Sequence, residues 1–397
     1  MPRTSSITLA AGLVLVAASG PAAAQAGKAE APIPAATLAL MAQKGVTAAS
    51  PVLFRAYKKE SEIEVWKKGP SGYVFIKTFP ICRWSGQLGP KRRSGDRQTP
   101  EGFYTVPRRQ MNTNSHYYLS FDVGYPNAYD RAHGGTGSAV MVHGICSSMG
   151  CFAMTNGTVG EIYAIARDAL KGGQAAFQFQ SYPFRMTAEN MARHRTDPNI
   201  AFWRELKAGS DRFEASREEL QVSVVAGRYA FAPSRDPAVE AAVTTRRAVE
   251  DARIATLAEA GEPAIRTTYS DGGQNAFWAA YTARGGAVGD ISRPEALAFA
   301  GQEVVIVPGH RAARPVPESV WIAWAAPDSP LSPRWMAGFV PPYARAADRF
   351  GALTAPLATR YGDSLPSWLT AGRESVVSGP AALLDSTSGL LASAEGL

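Results

Sequence analysis

Between Val52 and Gly144, apolar and polar residues alternate in short runs: "EIEVWKK", "YVFIKTFPICRW", "GFYTV", "HYYLSFDV" and "SAVMVHG". A period of two is the pattern of a strand with one buried face, and Gly/Pro punctuation such as "KKGPSGY" and "RQTPEG" separates the runs. A sheet or sandwich of short strands is predicted. After "HGICSSMGCFAM" the period lengthens. "NGTVGEIYAIARDALKGG" has apolar residues at helical spacing, with Asn156 and Thr158 as candidate caps and glycines at its end. "AAFQFQSYPF" reads as another strand, "TAENMARH" and "PNIAFWRELKAG" as helices, and "ELQVSVVAGRYAF" as a final strand. The fold class is α+β, in a unit spanning 51–233.

The flanks differ. Arg3, the apolar "ITLAAGLVLVAASG" and "PAAAQA", with A-x-A sites ending at Ala24 or Ala26, make 1–26 a secretory signal peptide. That run is short for a bilayer, which needs roughly eighteen apolar residues, and no later stretch supplies them, so no integral membrane span is expected. Residues 27–50 read as a linker with one short helix, "TLALMAQKG", closed by a glycine. Residues 234–397 form a C-terminal extension of unknown role, partly helical or irregular. It opens with the charged helix "DPAVEAAVTTRRAVEDARIATLAEAG" and continues as a loosely packed stretch rich in Ala, Gly, Pro and Ser. Trp278, Trp321, Trp324, Trp335 and Trp368 set it apart from disordered tails, which rarely carry tryptophan.

A composition of 46% hydrophobic and 19% charged residues is that of a globular chain. The net charge of +7 is concentrated between Val52 and Arg109, in "KK", "KK" and "PKRR". Such a segment either meets an anionic partner or solvates loops. Nucleic acid is not expected as a partner, because the chain reads as exported and no basic helix or aromatic RNA-binding motif accompanies the charge.

"MVHGICSSMGCFAM" holds two of the three cysteines and a histidine. The spacing H-x2-C-x4-C over His143, Cys146 and Cys151 has the ligand types of a zinc site, but a closed site needs a fourth ligand and no second cysteine pair or His-x3-His exists, so no metal is expected. In an oxidising compartment Cys82 could bridge Cys146, leaving Cys151 free, or Cys146 could bridge Cys151, or all three thiols could stay reduced. The remaining reading is nucleophilic. An imidazole beside a thiol can take its proton, and backbone N–H groups around Gly150 and Cys151 could face a developing oxyanion.

"HGICSSMGCFAM", with "ICRWSGQLGPKRRSGDRQTPEGFY" and "YYLSFDVGYPNAYDRAHGGTGSAVMVHG" upstream, resembles the YkuD-type L,D-transpeptidases, specifically the YafK-like murein transpeptidase subgroup, from about Val52 to Phe231. The resemblance implies a β-sandwich-like catalytic domain decorated with helices, periplasmic, acting on peptidoglycan stem peptides that contain meso-diaminopimelate. It implies Cys151 as nucleophile, His143 as general base, the Gly144 carbonyl as the group orienting His143, and Gly150 in the oxyanion region. No metal or organic cofactor is required. Cys146 then becomes a buried residue or the bridge partner of Cys82. Ser148-Met149-Gly150-Cys151 departs from the family's Ser/Thr-His-Gly-Cys at Met149, and Ala153 stands where an arginine is common.

Substrate contacts are expected from Ser148, from Arg131 and Tyr129 gripping a stem-peptide carboxylate, and from His133. Arg131 could instead pair with Asp130 or Asp122. His116, His194 and His310 read as surface or packing residues, and "TPEG" at Thr99–Gly102 as a supporting turn. With water as acceptor the same thioester would make a peptidoglycan hydrolase or amidase, for instance one releasing a wall-tethered lipoprotein. A non-catalytic wall-binding module is the third reading.

Overall fold

The computed structural model describes residues 27–289 and 301–309. The expected signal peptide, Trp321, Trp324, Trp335, Trp368 and His310 lie outside the described residues. Helix α1 (Ala35–Gln43) is followed by β1 (Val52–Tyr57), β2 (Glu62–Gly69), β3 (Gly72–Pro80) and β4 (Gly102–Pro107). Next come β5 (Met111–Asn112), β6 (Ser120–Asp122), α2 (Ala128–Ala132), β7 (Met141–His143), β8 (Phe152–Ala153), α3 (Asn156–Lys171) and β9 (Ala176–Tyr182).

One sheet has the order β3-β2-β1-β9-β4, with β1 antiparallel to β2 and parallel to β9. Strand β1 is its centre, yet "VLFRAY" shows no alternation to read, because all six residues are buried. Arg55 on this strand is buried too. Its guanidinium pairs with Glu214, donates to Ser210 Oγ at 2.9 Å and lies 4.6 Å from the Phe213 ring centroid.

The second sheet, β5-β6-β7-β8, packs on the first through aromatic side chains: Phe54 on Phe121 (6.0 Å), Phe121 on Phe177 (5.3 Å) and Phe152 on Phe179 (5.1 Å). The architecture is the β-sandwich with surrounding helices. Helix α3 buries Val159, Ile162 and Ile165 in this core. Its cap is Thr155, whose Oγ1 accepts from the Thr158 N–H, rather than Asn156 or Thr158; the Asn156 side chain is spent on the Ile145 N–H. The 27–50 stretch is packed rather than a free linker, since Arg167 donates to the Ala29 and Ala31 carbonyls and Ile33 and Met41 are buried.

Helices α4 (Ala188–Arg193) and α5 (Ile200–Ser216) precede a hairpin of β10 (Val222–Val225) and β11 (Arg228–Phe231). The expected final strand is therefore two, because Ala226 and Gly227 both take positive φ, 49° and 75°, and turn the chain between them. Helix α6 (Pro237–Glu259) is the charged helix expected from the sequence, with Val243 its one buried residue.

The described chain beyond α6 is tied to the domain at a few points, with most of its residues exposed or half-buried. Strand β12 (Ala264–Thr268) pairs with β13 (Gln302–Val307), and the buried His194 reaches Thr267 Oγ1 on β12. Helix α7 (Ala276–Ala283) lays Trp278 and Tyr281 over Cys82 and Cys146, and Trp278 Nε1 donates to the Pro80 carbonyl.

The basic segment also differs from its expected role as an anion-binding or solvating surface. Lys58, Lys67, Arg83 and Lys91 are buried beside Arg55. Lys58 Nζ lies 2.7 to 3.2 Å from the Gln87, Gly89 and Thr99 carbonyls and 2.9 Å from Glu101 Oε1. A buried ammonium must be surrounded by acceptors, and the loops supply them. Of the basic residues in this segment, only Arg92, Arg93, Arg97, Arg108, Arg109 and Lys68 are exposed.

Candidate active site

Cys151 directly precedes β8, which runs parallel to β7 with Val142 opposite Phe152 and His143 opposite Ala153. Alternation along the two strands sets Met141, His143, Cys151 and Ala153 on one face, so His143 and Cys151 are diagonal neighbours.

His143 is buried, and its Nδ1 lies 2.5 Å from the Gly144 carbonyl oxygen. A carbonyl only accepts, so Nδ1 carries the proton and Nε2 is left with its lone pair. Burial lowers the imidazole pKa to about 4, which keeps it neutral at physiological pH. The half-exposed Tyr117 ring packs against it at 4.6 Å between centroids.

The Cys151 sulfur accepts from the Met141 N–H at 3.4 Å and lies 3.8 Å from the Ala139 carbonyl, toward which the S–H points. Burial pushes its pKa above the ordinary thiol value; the Asp122 carboxylate adds to this and the Lys91 ammonium opposes it. Among the described residues no hydrogen bond joins the thiol to the imidazole. The resting pair is thus a neutral thiol and a neutral imidazole, a base awaiting a proton rather than a preformed ion pair.

Gly150 has φ +121°, a conformation that disfavours any side chain, and it turns the chain into Cys151. Ser148 is buried beneath this turn instead of facing a substrate. Its Oγ accepts from the Gly150 N–H (3.2 Å) and the Cys151 N–H (3.0 Å) and donates to the Cys151 carbonyl (2.7 Å). Serine hydroxyls readily bond backbone two or three residues on, and both amides expected at the oxyanion are held in this way. Thr99 Oγ1 reaches the same Cys151 carbonyl at 3.2 Å, and Ser85 Oγ stands 3.1 Å from Ser148 Oγ.

The other expected substrate residues belong to α2. Tyr129 is a packing residue, buried between Tyr229 (4.4 Å), His133 (4.2 Å) and Phe202 (5.1 Å). His133 is exposed, with Nδ1 2.9 Å from the Tyr129 carbonyl. Arg131 is exposed and donates to the Pro126 carbonyl; Asp130 bonds the Asn127 N–H and the Tyr104 hydroxyl instead. Adjacency to β7 in sequence is what suggested these three residues, and the α2 turn carries Tyr129 and His133 toward the β10–β11 hairpin.

Thr99 belongs to the turn expected to support the site; sequence reasoning missed Tyr117, Asp122, Lys91 and Ser85. None carries a spacing signal, since each reaches the site from a different loop or strand end. Met149, two residues before Cys151, is exposed.

Cys82 and Cys146 form a disulfide with a Cα–Cα distance of 5.5 Å, and Cys151 is free. The H-x2-C-x4-C zinc reading fails on this bridge, because a disulfide sulfur has no thiolate to give a metal. Among the described residues no group of three or more His, Cys, Asp or Glu could hold a metal ion, and no helix is long and apolar enough to cross a membrane.

The YkuD model, an L,D-transpeptidase catalytic domain, matches residues 58–172, which include both His143 and Cys151. The Escherichia coli K12 protein named "Putative L,D-transpeptidase YafK" is 47% identical over 180 residues, covering 45% of this chain and 73% of the relative. The chain belongs to the YkuD-type L,D-transpeptidase family, in its YafK-like branch. Within this YkuD-type chain, β1 and β9, the two central strands, lie just outside the matched span.

Two solved structures show partial likeness to this YkuD-type chain. The helical cell shape determining protein Pgp2 of Campylobacter jejuni is 15% identical, with a TM-score of 0.28 over 60% of this chain and 84% of that one. Bd1075 of Bdellovibrio bacteriovorus is 22% identical, with a TM-score of 0.24 over 34% of this chain and 49% of that one. Likeness at these scores adds nothing to the fold described above.

Proposed function

We propose that this YkuD-type chain is a periplasmic L,D-transpeptidase in which Cys151 carries the acyl group of a peptidoglycan stem peptide. The observation that carries the reading is one free, partly exposed thiol on the strand beside a neutral histidine whose Nε2 is open, within the family-matched span. His143 Nε2 takes the Cys151 proton as sulfur attacks the amide carbon between meso-diaminopimelate and the terminal D-alanine. Collapse of the tetrahedral adduct breaks the C–N bond, and the imidazolium returns the proton to the departing D-alanine amine. The product is a thioester at Cys151. An acceptor amine then attacks it, gives its proton to His143, forms the new amide and restores the thiol.

The Gly144 carbonyl orients the imidazole, and Ser148 is a positioning residue under the loop. Residues 1–26 as a signal peptide and 51–233 as the catalytic domain fit this reading, and a buried disulfide suits an oxidising compartment.

The test is wild-type protein against Cys151→Ala on isolated sacculi, with products identified by mass. New cross-links that vanish in the variant support transfer. Loss of wall-tethered peptide or lipoprotein without new cross-links makes water the acceptor and the protein a hydrolase. Identical products from both proteins defeat the cysteine mechanism and leave a wall-binding module.

A further inference from the structure

The chain beyond β11 lies outside residues 58–172, yet its run Tyr269–Asn275 bonds the 81–97 segment, whose Arg83 pairs with β8 next to Cys151. Trp84 and Gly273 form a two-way backbone bridge, at 3.0 Å from the Trp84 N–H to the Gly273 carbonyl and 3.2 Å in the opposite sense. The preceding residue, Arg83, makes the same kind of bridge with Ala153 at 3.0 and 2.8 Å. The strand entered at Cys151, the Arg83–Trp84 strip and Gly273 therefore lie edge to edge. The approach is close: a Cβ on Gly272 would collide with the Trp84 carbonyl oxygen.

Asp271 sits at the head of this strip. Its carboxylate pairs with Arg97 and stands 3.5 Å from the guanidinium of the buried Arg83, which also donates to the Asp271 carbonyl. The Gly86 N–H points at Asp271 Oδ1 from 3.4 Å. From Arg97 the connection runs inward. The Arg97 carbonyl accepts from Ser85 Oγ at 2.7 Å, Ser85 Oγ meets Ser148 Oγ at 3.1 Å, and Ser148 holds the Cys151 N–H and carbonyl. Gly150 packs against the same loop, with its Cβ direction 3.4 Å from the Gln98 carbonyl.

We infer that Asp271 is a positioning residue of this site: it clamps the 85–99 loop through Arg97 and Arg83, so that Ser148 presents Cys151 at a fixed attitude. The inference rests on the reading of Cys151 as nucleophile. The Arg97–Asp271 pair is partly open to water, with Arg97 44% exposed, and pairs of that kind add little to global stability. Its effect belongs in the geometry of the thiol, where small displacements cost far more.

The test uses the full chain with Asp271→Asn, Arg97→Gln, the double variant and Asp271→Glu. Turnover on sacculi and the rate of Cys151 alkylation by iodoacetamide are measured together. Each single variant is expected to lower kcat roughly tenfold or more with KM held within about twofold, and the double variant to fall no further than Asp271→Asn, which already loses the Arg97 pair. Asp271→Glu, which keeps the charge, recovers most of the loss. A purely structural role would lower the melting temperature and leave kcat of the folded protein unchanged. Turnover and alkylation in Asp271→Asn within about twofold of wild type overturn the inference. If Asp271→Asn does not fold, Arg97→Gln carries the test. If Cys151→Ala still turns over, the nucleophile reading falls, and alkylation decides alone. A rate shifted about threefold or more upholds the clamp; an unchanged rate removes it.

Discussion

His143→Asn isolates the cost of keeping the imidazole neutral in the sheet. Asparagine can still donate to the Gly144 carbonyl, so the variant removes the titrating group with little loss of hydrogen bonding. Burial holds the histidine at about 4 against an ordinary 6.5. The folded value lies about 2.5 below the ordinary one, which at about 1.4 kcal/mol per tenfold change in proton affinity makes ~3.5 kcal/mol. The folded pKa is the lower one, so between pH 6.5 and about 4 the unfolded chain binds the proton and the folded chain does not. Stability from this residue is complete above pH 6.5 and is lost as pH falls toward 4. Urea unfolding from about pH 7.5 to about pH 4 should show the wild type losing ~3 kcal/mol more than His143→Asn. The histidine Cε1–H signal that disappears in the variant should titrate near 4 in the folded wild type. Parallel stability curves, or a midpoint near 6.5, would refute the reasoning.

The geometry sets three further outcomes. The Cys82→Ala/Cys146→Ala double variant releases a loop of sequence separation 64 and should lose about 4 kcal/mol in guanidinium unfolding; a loss under about 1 kcal/mol would mean the bridge constrains little. Ser148→Ala leaves the Gly150 and Cys151 amides without their acceptor, and a cost of about 2 kcal/mol with altered iodoacetamide kinetics is expected. Lys58→Met strands Glu101 as a buried charge, for about 3–5 kcal/mol, and trypsin should then cut faster after Arg92 and Arg93; unchanged cleavage would show that Lys58 does not hold the loop.

Strands with one wet face were legible from alternation, and α3, α4, α5 and α6 from helical spacing and caps. Strand β1 was not, because a strand covered on both sides has no polar phase and its single arginine is neutralised from α5. The β10–β11 turn hid in "VVAGRY", where Gly227 was the one available signal. His143, Gly150 and Cys151 were legible because they sit in one continuous motif. Ser148 lay in that motif too, but its neighbours, not its position, decide whether a hydroxyl faces substrate or backbone. The lysines were misread for a related reason: charge is visible in a sequence, and the carbonyls that surround a buried ammonium are not.

The Lys58 ammonium gives the 85–101 loop an interior of its own, since Gln87, Gly89, Thr99 and Glu101 all turn toward it. A loop with a private centre divides into a committed base and a spare tip. Asp96 folds that tip by accepting the Arg92, Arg93 and Gln98 amides, while the side chains of Arg92, Arg93 and Ser94 stay exposed and Gly95 has open space where a side chain would go. Sequence can drift, lengthen or be exchanged at those positions while the scaffold beneath Cys151 stays as it is. That makes the tip the natural place for the chain to vary.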